Sequence, residues 1–480
     1  MSLTVSVLSK LGEDISDVII KMLKVSATQR DVVVGVADDG SWETFHGVPD
    51  FTSIVSDRLV AHISSNPLDY PPQPLVQESG AFSYNGLMYD SDIPDTLEVA
   101  NLLEKDIREG LEKLIQEREA SFSVVTLDDT AIFCARDYVG AIPLYVGENS
   151  ELIAVSSNKK TLWAQHLDAQ PIIPGSLVRI TENGIQSKIM KKLEIPKLIK
   201  EPISLAVNKL DAIFHKVAQD IARKTQKGSV AFSGGIDSTL TAYYLKEAGI
   251  DLDLVCFGIG DRPEFGSAKK SANFLKLPLQ IVSVDSSDLC LALRNVVSSI
   301  EESNPASVGI GTPLYFSALK ASEMGHKTIF SGNGSDEVFG GYMKYFKQSL
   351  KGVDPSESMY LDTANSWKFN MDRDQKICRD QGLFLILPFA NPKLIEYGMS
   401  LPVSYKVPSV EGEPRKIALR LLAEKLGMPR ELSARPKKAA QYSTGVMKAL
   451  RLIAAGHEKR LDVYINDILD DIKSELVKEI

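Results

Sequence analysis

Ser233-Gly234-Gly235-Ile236-Asp237-Ser238 follows directly on the apolar run Val230-Ala231-Phe232 and leads into a helical stretch, Thr239 to Ala248. A strand that ends in a glycine-rich loop and opens into a helix is an anion-binding arrangement. The glycines let backbone approach a ligand, and the first-turn N–H groups point at its negative charge. Two hydroxyls and a carboxylate in the loop add donors and a candidate magnesium ligand. No lysine follows the glycines at the spacing of a Walker loop, so the pattern is a different phosphate cradle. A plain Gly-Gly turn is the simpler reading, but six defined residues in strand–loop–helix context favour a nucleotide.

A second element of the same kind lies about a hundred residues on. Thr328-Ile329-Phe330 ends in Ser331-Gly332-Asn333-Gly334-Ser335-Asp336-Glu337, followed by Val338-Phe339-Gly340-Gly341-Tyr342. Its glycines predict a second backbone-lined concavity, and Asp336 and Glu337 bring carboxylates that suit Mg²⁺. Alternatively, Ser-Asp-Glu is a helix cap with favourable dipole charges. Between and around these loops, strand-like runs (230–232, 252–258, 279–284, 328–330) alternate with helical segments. That order predicts a doubly wound parallel sheet with ligands at the carboxyl ends of its strands. Beyond about residue 345 the chain reads as mostly helical.

The N-terminal part reads differently. Helical spacing covers 15–25 and 97–116. Strand-like runs at 32–34, 122–127, 131–135, 152–155 and 176–180 come in succession, as in an antiparallel α+β domain. Lys191 to Pro202 breaks the pattern. The predicted division is therefore 1–190, a linker at 191–204, and 205–480, where an amphipathic helix from Leu205 to Lys224 opens the second domain.

The chain has 480 residues, 54 basic against 63 acidic side chains and a net charge of −9. This balance gives no reason to expect nucleic acid or an anionic membrane as partner. Four widely spaced cysteines, Cys134, Cys256, Cys290 and Cys378, form no CxxC pair and fit a reducing compartment. No apolar run approaches the ~18 residues of a membrane span. The expectation is a cytoplasmic protein.

Taken in order, the two loops resemble the synthetase domain of asparagine synthetase and its relative β-lactam synthetase; the first is similar to the SGGxDS loop of PP-loop ATP pyrophosphatases. Asp372-Arg373-Asp374, Gly382 and Pro388-Phe389 resemble a helix and loop that follow in that family. Arg435-Pro436-Lys437-Lys438, with Gln441-Tyr442 and Gly445, resembles the segment carrying its catalytic lysine. In the N-terminal half, Tyr84-Asn85-Gly86 with Tyr89 resembles the Asn-Gly oxyanion element of class II glutamine amidotransferases, although Asn-Gly is also an ordinary turn. Arg136-Asp137, Gly140, Pro143-Leu144-Tyr145 and Pro174-Gly175 resemble the rest of that signature.

The resemblance implies an Ntn-type αββα sandwich followed by a parallel-sheet PP-loop domain with a helical C-terminal part. It implies ATP at Ser233, Gly234, Gly235, Asp237, Ser238, Ser331 and Gly332, Mg²⁺ on Asp237 and Asp336, and Lys437, or else Lys438, stabilising charge at the α-phosphorus. The implied reaction joins a small carboxylate, aspartate or an analogue, to ammonia or an amine, releasing AMP and pyrophosphate. A homodimer is left open.

Three departures qualify this. The sequence begins Met1-Ser2-Leu3-Thr4 where a class II glutaminase needs an N-terminal cysteine. Gln29-Arg30-Asp31 stands where Arg-Gly-Pro-Asp is expected. The expectation is therefore an amidotransferase-like domain without glutaminase activity. Asn333 stands where asparagine synthetases carry Glu and β-lactam synthetases Tyr, and Phe384 and Ile386 replace an acid and a base. Those changes keep two alternatives open: an amide or lactam synthetase for another carboxylate, and a catalytically idle, ATP-binding regulatory paralogue.

Overall fold

In the computed structural model, the described residues are 2–26, 32–64, 71–435 and 440–478. They form two compact units, Met1–Leu193 with Asp467–Ile480, and Glu194–Asn466. Among the described residues no helix is long and apolar enough to cross a membrane.

The first unit is an αββα sandwich. One antiparallel sheet runs in the order Gln170–Pro171, Tyr145–Glu148, Leu152–Ser156, Ser2–Ser9, Arg58–Ser64, Val33–Ala37, Trp42–His46. The other runs Gly184–Ile189, Ser176–Thr181, Ile132–Arg136, Ala120–Leu127, Gly80–Met88, Leu75–Gln77. Between the sheets lie Leu8, Val60, Val125, Cys134, Ile153 and Val178. Each outer face takes helices: Ser16–Ser26 over the first sheet, Asp95–Leu103 and Ile107–Glu117 over the second. Because helices cover the outside and another sheet the inside, strands are buried on both faces. Ile132–Arg136 and Ala120–Leu127 are buried at every position.

The single helix predicted over 97–116 is two. Asp106 takes extended backbone and accepts the Glu109 amide at 2.7 Å, starting a fresh helix three residues after the first ends. An N-cap aspartate satisfies a donor that an uninterrupted helix would not leave free, and this local gain restarts the chain in a new direction. The strand Ser2–Ser9 was not predicted. From Ser2 to Val7 it alternates polar and apolar residues, the pattern of a strand with one solvated face, yet Thr4 and Ser6 are buried along with Leu3, Val5 and Val7.

In the second unit, five parallel strands run in the order Leu279–Val284, Asp251–Ile259, Lys227–Ala231, Thr328–Phe330, Phe384–Ile386. Four are those expected from the sequence; the fifth, three residues long, was not. Lys227–Ala231 is central, and the order reverses beside it, since the chain moves first to one side and then to the other. Such a switch point opens a crevice at the carboxyl ends of the neighbouring strands. Both glycine-rich loops leave the sheet there. The helix Ile203–Lys224 buries Leu210, Phe214, Val217 and Ile221, with Phe214 stacked on Tyr244 of the first loop's helix at 4.8 Å. After Phe384–Ile386 the rest of the unit is helical.

Candidate functional site

The first loop is shaped by contact as well as by hydrogen bonds. Gly234 has φ of +65°, and a Cβ there would lie 2.7 Å from the Ala268 backbone, so only glycine fits. The Ser233 hydroxyl accepts the Gly235 amide at 3.2 Å and lies 3.3 Å from the Ser238 hydroxyl. Ser238 also accepts the Ser233 amide at 3.3 Å, closing the loop on itself. Helix Ile236–Glu247 begins with Gly235 as its cap and no capping side chain. Its first-turn amides are therefore not taken up by a side-chain cap.

The second loop lies directly against the first. A Cβ on Gly332 would sit 2.8 Å from the Asp237 carbonyl carbon, so the two loops meet backbone to backbone. Ser331 donates its amide to Ile386 at 3.3 Å, which ties the loop to the unexpected fifth strand. Gly334, at φ +92°, turns the chain into the short helix Ser335–Phe339. Ser335 does not cap that helix. Its hydroxyl crosses to Asp237 Oδ1 at 2.8 Å.

The centre of the arrangement is a cation. Lys416 Nζ lies 2.6 Å from Asp237 Oδ1 and 2.6 Å from Asp336 Oδ1, and donates to Ser335 Oγ at 2.9 Å. Lys416 is buried, whereas each carboxylate keeps a minor part of its surface open. Lys416 takes the left-handed conformation, φ +65°, with its amide donated to Lys406 O at 2.7 Å. A non-glycine residue held there costs about 1–3 kcal/mol and persists where surrounding structure dictates it. Around it, Arg415 donates to the Gly341 carbonyl, and a Cβ on Gly341 would lie 1.8 Å from Asp336 Oδ1 and 2.4 Å from Lys416 Cε.

Sequence reading pointed to Lys437 and Lys438 and passed over Lys416. The first two lie outside the described residues. The segment just after them is fixed to the carboxyl end of the strand Asp251–Ile259 by Ile259 N to Thr444 O, 2.9 Å. Glu337, grouped with Asp336 from the sequence, is buried, and its Oε1 accepts from Tyr342 and from Asn370 Nδ2. Those bonds tie the Glu337 carboxylate to Tyr342 and Asn370.

The Lys416 ammonium occupies the point between Asp237 Oδ1 and Asp336 Oδ1, while both carboxylates stay partly open to solvent and are hard oxygen donors of the kind Mg²⁺ takes. Among the described residues no group of three or more His, Cys, Asp or Glu side chains could hold a metal. An ion at Asp237 and Asp336 would therefore complete its shell from phosphate oxygens and water, the usual habit of Mg²⁺.

In the first unit, Asn85-Gly86 is not a turn. Both residues lie inside the strand Gly80–Met88, opposite Ser123 and Phe122, and a Cβ on Gly86 would lie 2.4 Å from the Ser121 carbonyl oxygen. Arg136 is fully buried and gives its guanidinium to the carbonyls of Gly140, Ile142 and Ile172 at 2.6–2.9 Å. Asp137 accepts the amides of Phe122, Val139 and Gly140. These two signature residues thus build a loop. Gln29-Arg30-Asp31 lies outside the described residues.

A polar cluster interrupts the apolar layer between the sheets: Ser83 Oγ sits 2.6 Å from Thr4 Oγ1 and 2.7 Å from His62 Nδ1. Burial pushes His62 down to about 3. Unfolded histidine titrates near 6.5, so this group's contribution is fully present above that pH and is lost as pH falls toward 3. Melting temperature should therefore fall between pH 6.5 and 4 more steeply in the parent than in His62→Gln, and parallel slopes would contradict this.

A family model described as asparagine synthase matches residues 211–356 and 348–462, together more than half of the chain, and a glutamine amidotransferase domain model matches residues 62–164. The chain belongs to the asparagine synthetase family. Relatives in this family include a putative asparagine synthetase [glutamine-hydrolyzing] 1 from Methanocaldococcus jannaschii, 25% identical over 77% of this chain and 76% of that protein. Asparagine synthetases [glutamine-hydrolyzing] from Sandersonia aurantiaca and Brassica oleracea are each 28% identical over 70% of this chain. The matched region spans 66% and 59% of those two plant proteins. Membership makes this chain one of a family of ATP-dependent amide ligases. The αββα sandwich and the parallel sheet are the two folds that the sequence resemblance implied.

Proposed function

We propose that the second unit joins a small carboxylic acid to ammonia at the expense of ATP, with release of AMP and pyrophosphate, and that aspartate is the acid. The observation carrying this reading is the meeting of both glycine-rich loops at Asp237, Asp336 and Lys416. ATP lies across the loops, its phosphates at Ser233, Gly234, Gly235, Ser238, Ser331 and Gly332. Asp237 and Asp336 would hold Mg²⁺, which would supply positive charge to the phosphates.

A carboxylate oxygen of the acid attacks the α-phosphorus as the bond to the β-phosphate oxygen breaks. Ammonia then attacks the acyl carbon, a proton leaves its nitrogen, and AMP departs with the acid's former oxygen. Lys416 supplies positive charge held in place before reaction, the form of help that suits charge building on phosphate. Lys437, with Lys438 as the alternative, adds a second cation at the α-phosphorus. The amidotransferase-like domain is proposed to lie in 1–190 and the synthetase in the chain from 205 on, except that the last segment, Asp467–Ile480, groups with the first unit rather than with the synthetase as the sequence division had it.

Glutamine is not the nitrogen source in this reading. Cys134, the cysteine of the first unit, is fully buried between the sheets, and burial raises its thiol far above the usual range. A thiol that cannot ionise is no nucleophile. Incubation with ATP, Mg²⁺, aspartate and ¹⁵N-ammonium is expected to yield ¹⁵N-asparagine, and glutamine in place of ammonium is expected to yield none. Glutamate release from glutamine by the purified protein would overturn the nitrogen assignment. Turnover only with a different acid would favour the alternative that Asn333 and Phe384 suggest.

A further inference from the structure

Asn333 stands between the two halves of the site. Gly332 before it touches Asp237, and Asp336 lies three residues after it. Its side chain is fixed in one orientation. Oδ1 accepts the Gly334 amide at 2.9 Å, while Nδ2 donates to Asp374 Oδ2. A backbone N–H can only donate and a carboxylate only accept, so these partners fix which end of the amide is oxygen and which nitrogen.

Asp374 is itself held. Its Oδ1 accepts Arg373 Nε at 2.8 Å, and Arg373 Nη1 donates to Phe369 O at 3.0 Å. Both side chains are buried, 5% and 3% exposed. Burying such a pair is expensive and stabilises little against an apolar packing of equal volume. An ion pair aimed at one amide beside a phosphate site therefore calls for a role in orientation. Burial also raises the Asp374 carboxyl, against the lowering effect of Arg373.

The locked amide has a chemical consequence. One Nδ2 hydrogen is given to Asp374, and among the described residues the other has no partner. Residue 333 therefore offers a donor, where a glutamate would offer an acceptor and a negative charge.

Building on the ligase reading above, we propose that Asn333, oriented by Asp374, selects the acid by donating an N–H to a second acceptor oxygen on it. The preferred substrates are thus acids with another carboxylate or carbonyl besides the carboxylate that is activated. Simple alkyl acids and acids whose only other polar group is an ammonium are disfavoured. A site group left unpaired by the wrong substrate discriminates strongly. Asp374 is a positioning residue in this scheme and touches no substrate.

The test is acid-dependent exchange of labelled pyrophosphate into ATP, with aspartate and succinate set against butyrate and 4-aminobutyrate. The parent protein should show at least roughly 10-fold higher kcat/KM for the first two. Asn333→Asp, which removes the donor and faces Asp374 with like charge, should raise the acid KM roughly 10-fold or more and leave the ATP KM within about two-fold. Asp374→Asn should erase much of the preference between the two sets of acids while ATP KM again holds. Should either variant fail to fold, Asn333→Ala, which removes the donor without adding charge, decides by the same split.

Equal use of both sets, or acid and ATP KM moving together in the variants, overturns the proposal. ATP binding without exchange for any acid in the parent would overturn the ligase reading itself, a separable result.

Discussion

Lys416→Met should lower the rate of pyrophosphate release by about 10²–10³, the loss typical when one preorganised charge is removed from a reacting phosphate or oxyanion site. Methionine keeps most of the length and volume of the side chain and removes the ammonium. Asp237 Oδ1 and Asp336 Oδ1 each lie 2.6 Å from that nitrogen, so the two oxygens are no more than about 5 Å apart. Without the cation their repulsion is about 3 kcal/mol at an effective dielectric of 20. Breaking a buried pair from one side costs about 3–5 kcal/mol in comparable settings.

The variant should therefore melt lower than the parent, and Mg²⁺ should raise its melting temperature more than it raises the parent's, because the ion replaces the missing charge. The rate should stay low even in saturating Mg²⁺. Pyrophosphate release within three-fold of the parent would remove Lys416 from the site.

Gly341→Ala should cost nearly as much activity by a different route. The new methyl would need the space of Asp336 Oδ1, 1.8 Å away, and of Lys416 Cε, 2.4 Å away. Neither can give way without separating the carboxylate from the ammonium. The Gly341 backbone cannot retreat freely, since its amide is bonded to Asp336 O at 2.8 Å and its carbonyl accepts from Arg415. Overpacking of this kind costs about 1–3 kcal/mol of stability, and misplacing a charged group by an ångström costs about 10²-fold in rate. Gly456→Ala is the control: no heavy atom lies within 4 Å of its added Cβ and its φ is ordinary. It should leave the rate unchanged and should not lower stability. An equal effect from both alanines would show that the Gly341 result reports general disruption.

The pieces of this site that could be read from sequence are those whose chemistry is local. Six consecutive residues determine the first loop, and seven the second, because glycine conformation, hydroxyl donors and the following helix all act within a turn. The strands carrying them could be read because a parallel sheet buried on both faces leaves short apolar runs between helices. Lys416 has no such signature. It precedes an apolar helical stretch, as many solvated lysines do, and meets Asp237 across 179 residues of chain.

The same holds for Asp374, whose partner Asn333 is 41 residues away, and for the fifth strand, too short at three residues to show a period. The strand Ser2–Ser9 is a different case: its alternation of polar and apolar residues from Ser2 to Val7 is a strand signal the sequence carries, but that pattern predicts a solvated polar face. Only the tertiary structure shows that Thr4 is buried against Ser83.

The central claim is that a carboxylate oxygen attacks the α-phosphorus of ATP, and isotope transfer tests it most directly. Turnover of ATP with ammonia and aspartate labelled with ¹⁸O in its side-chain carboxylate should give AMP carrying one ¹⁸O and pyrophosphate carrying none. Label recovered in inorganic phosphate, with ADP as the nucleotide product, would contradict the account.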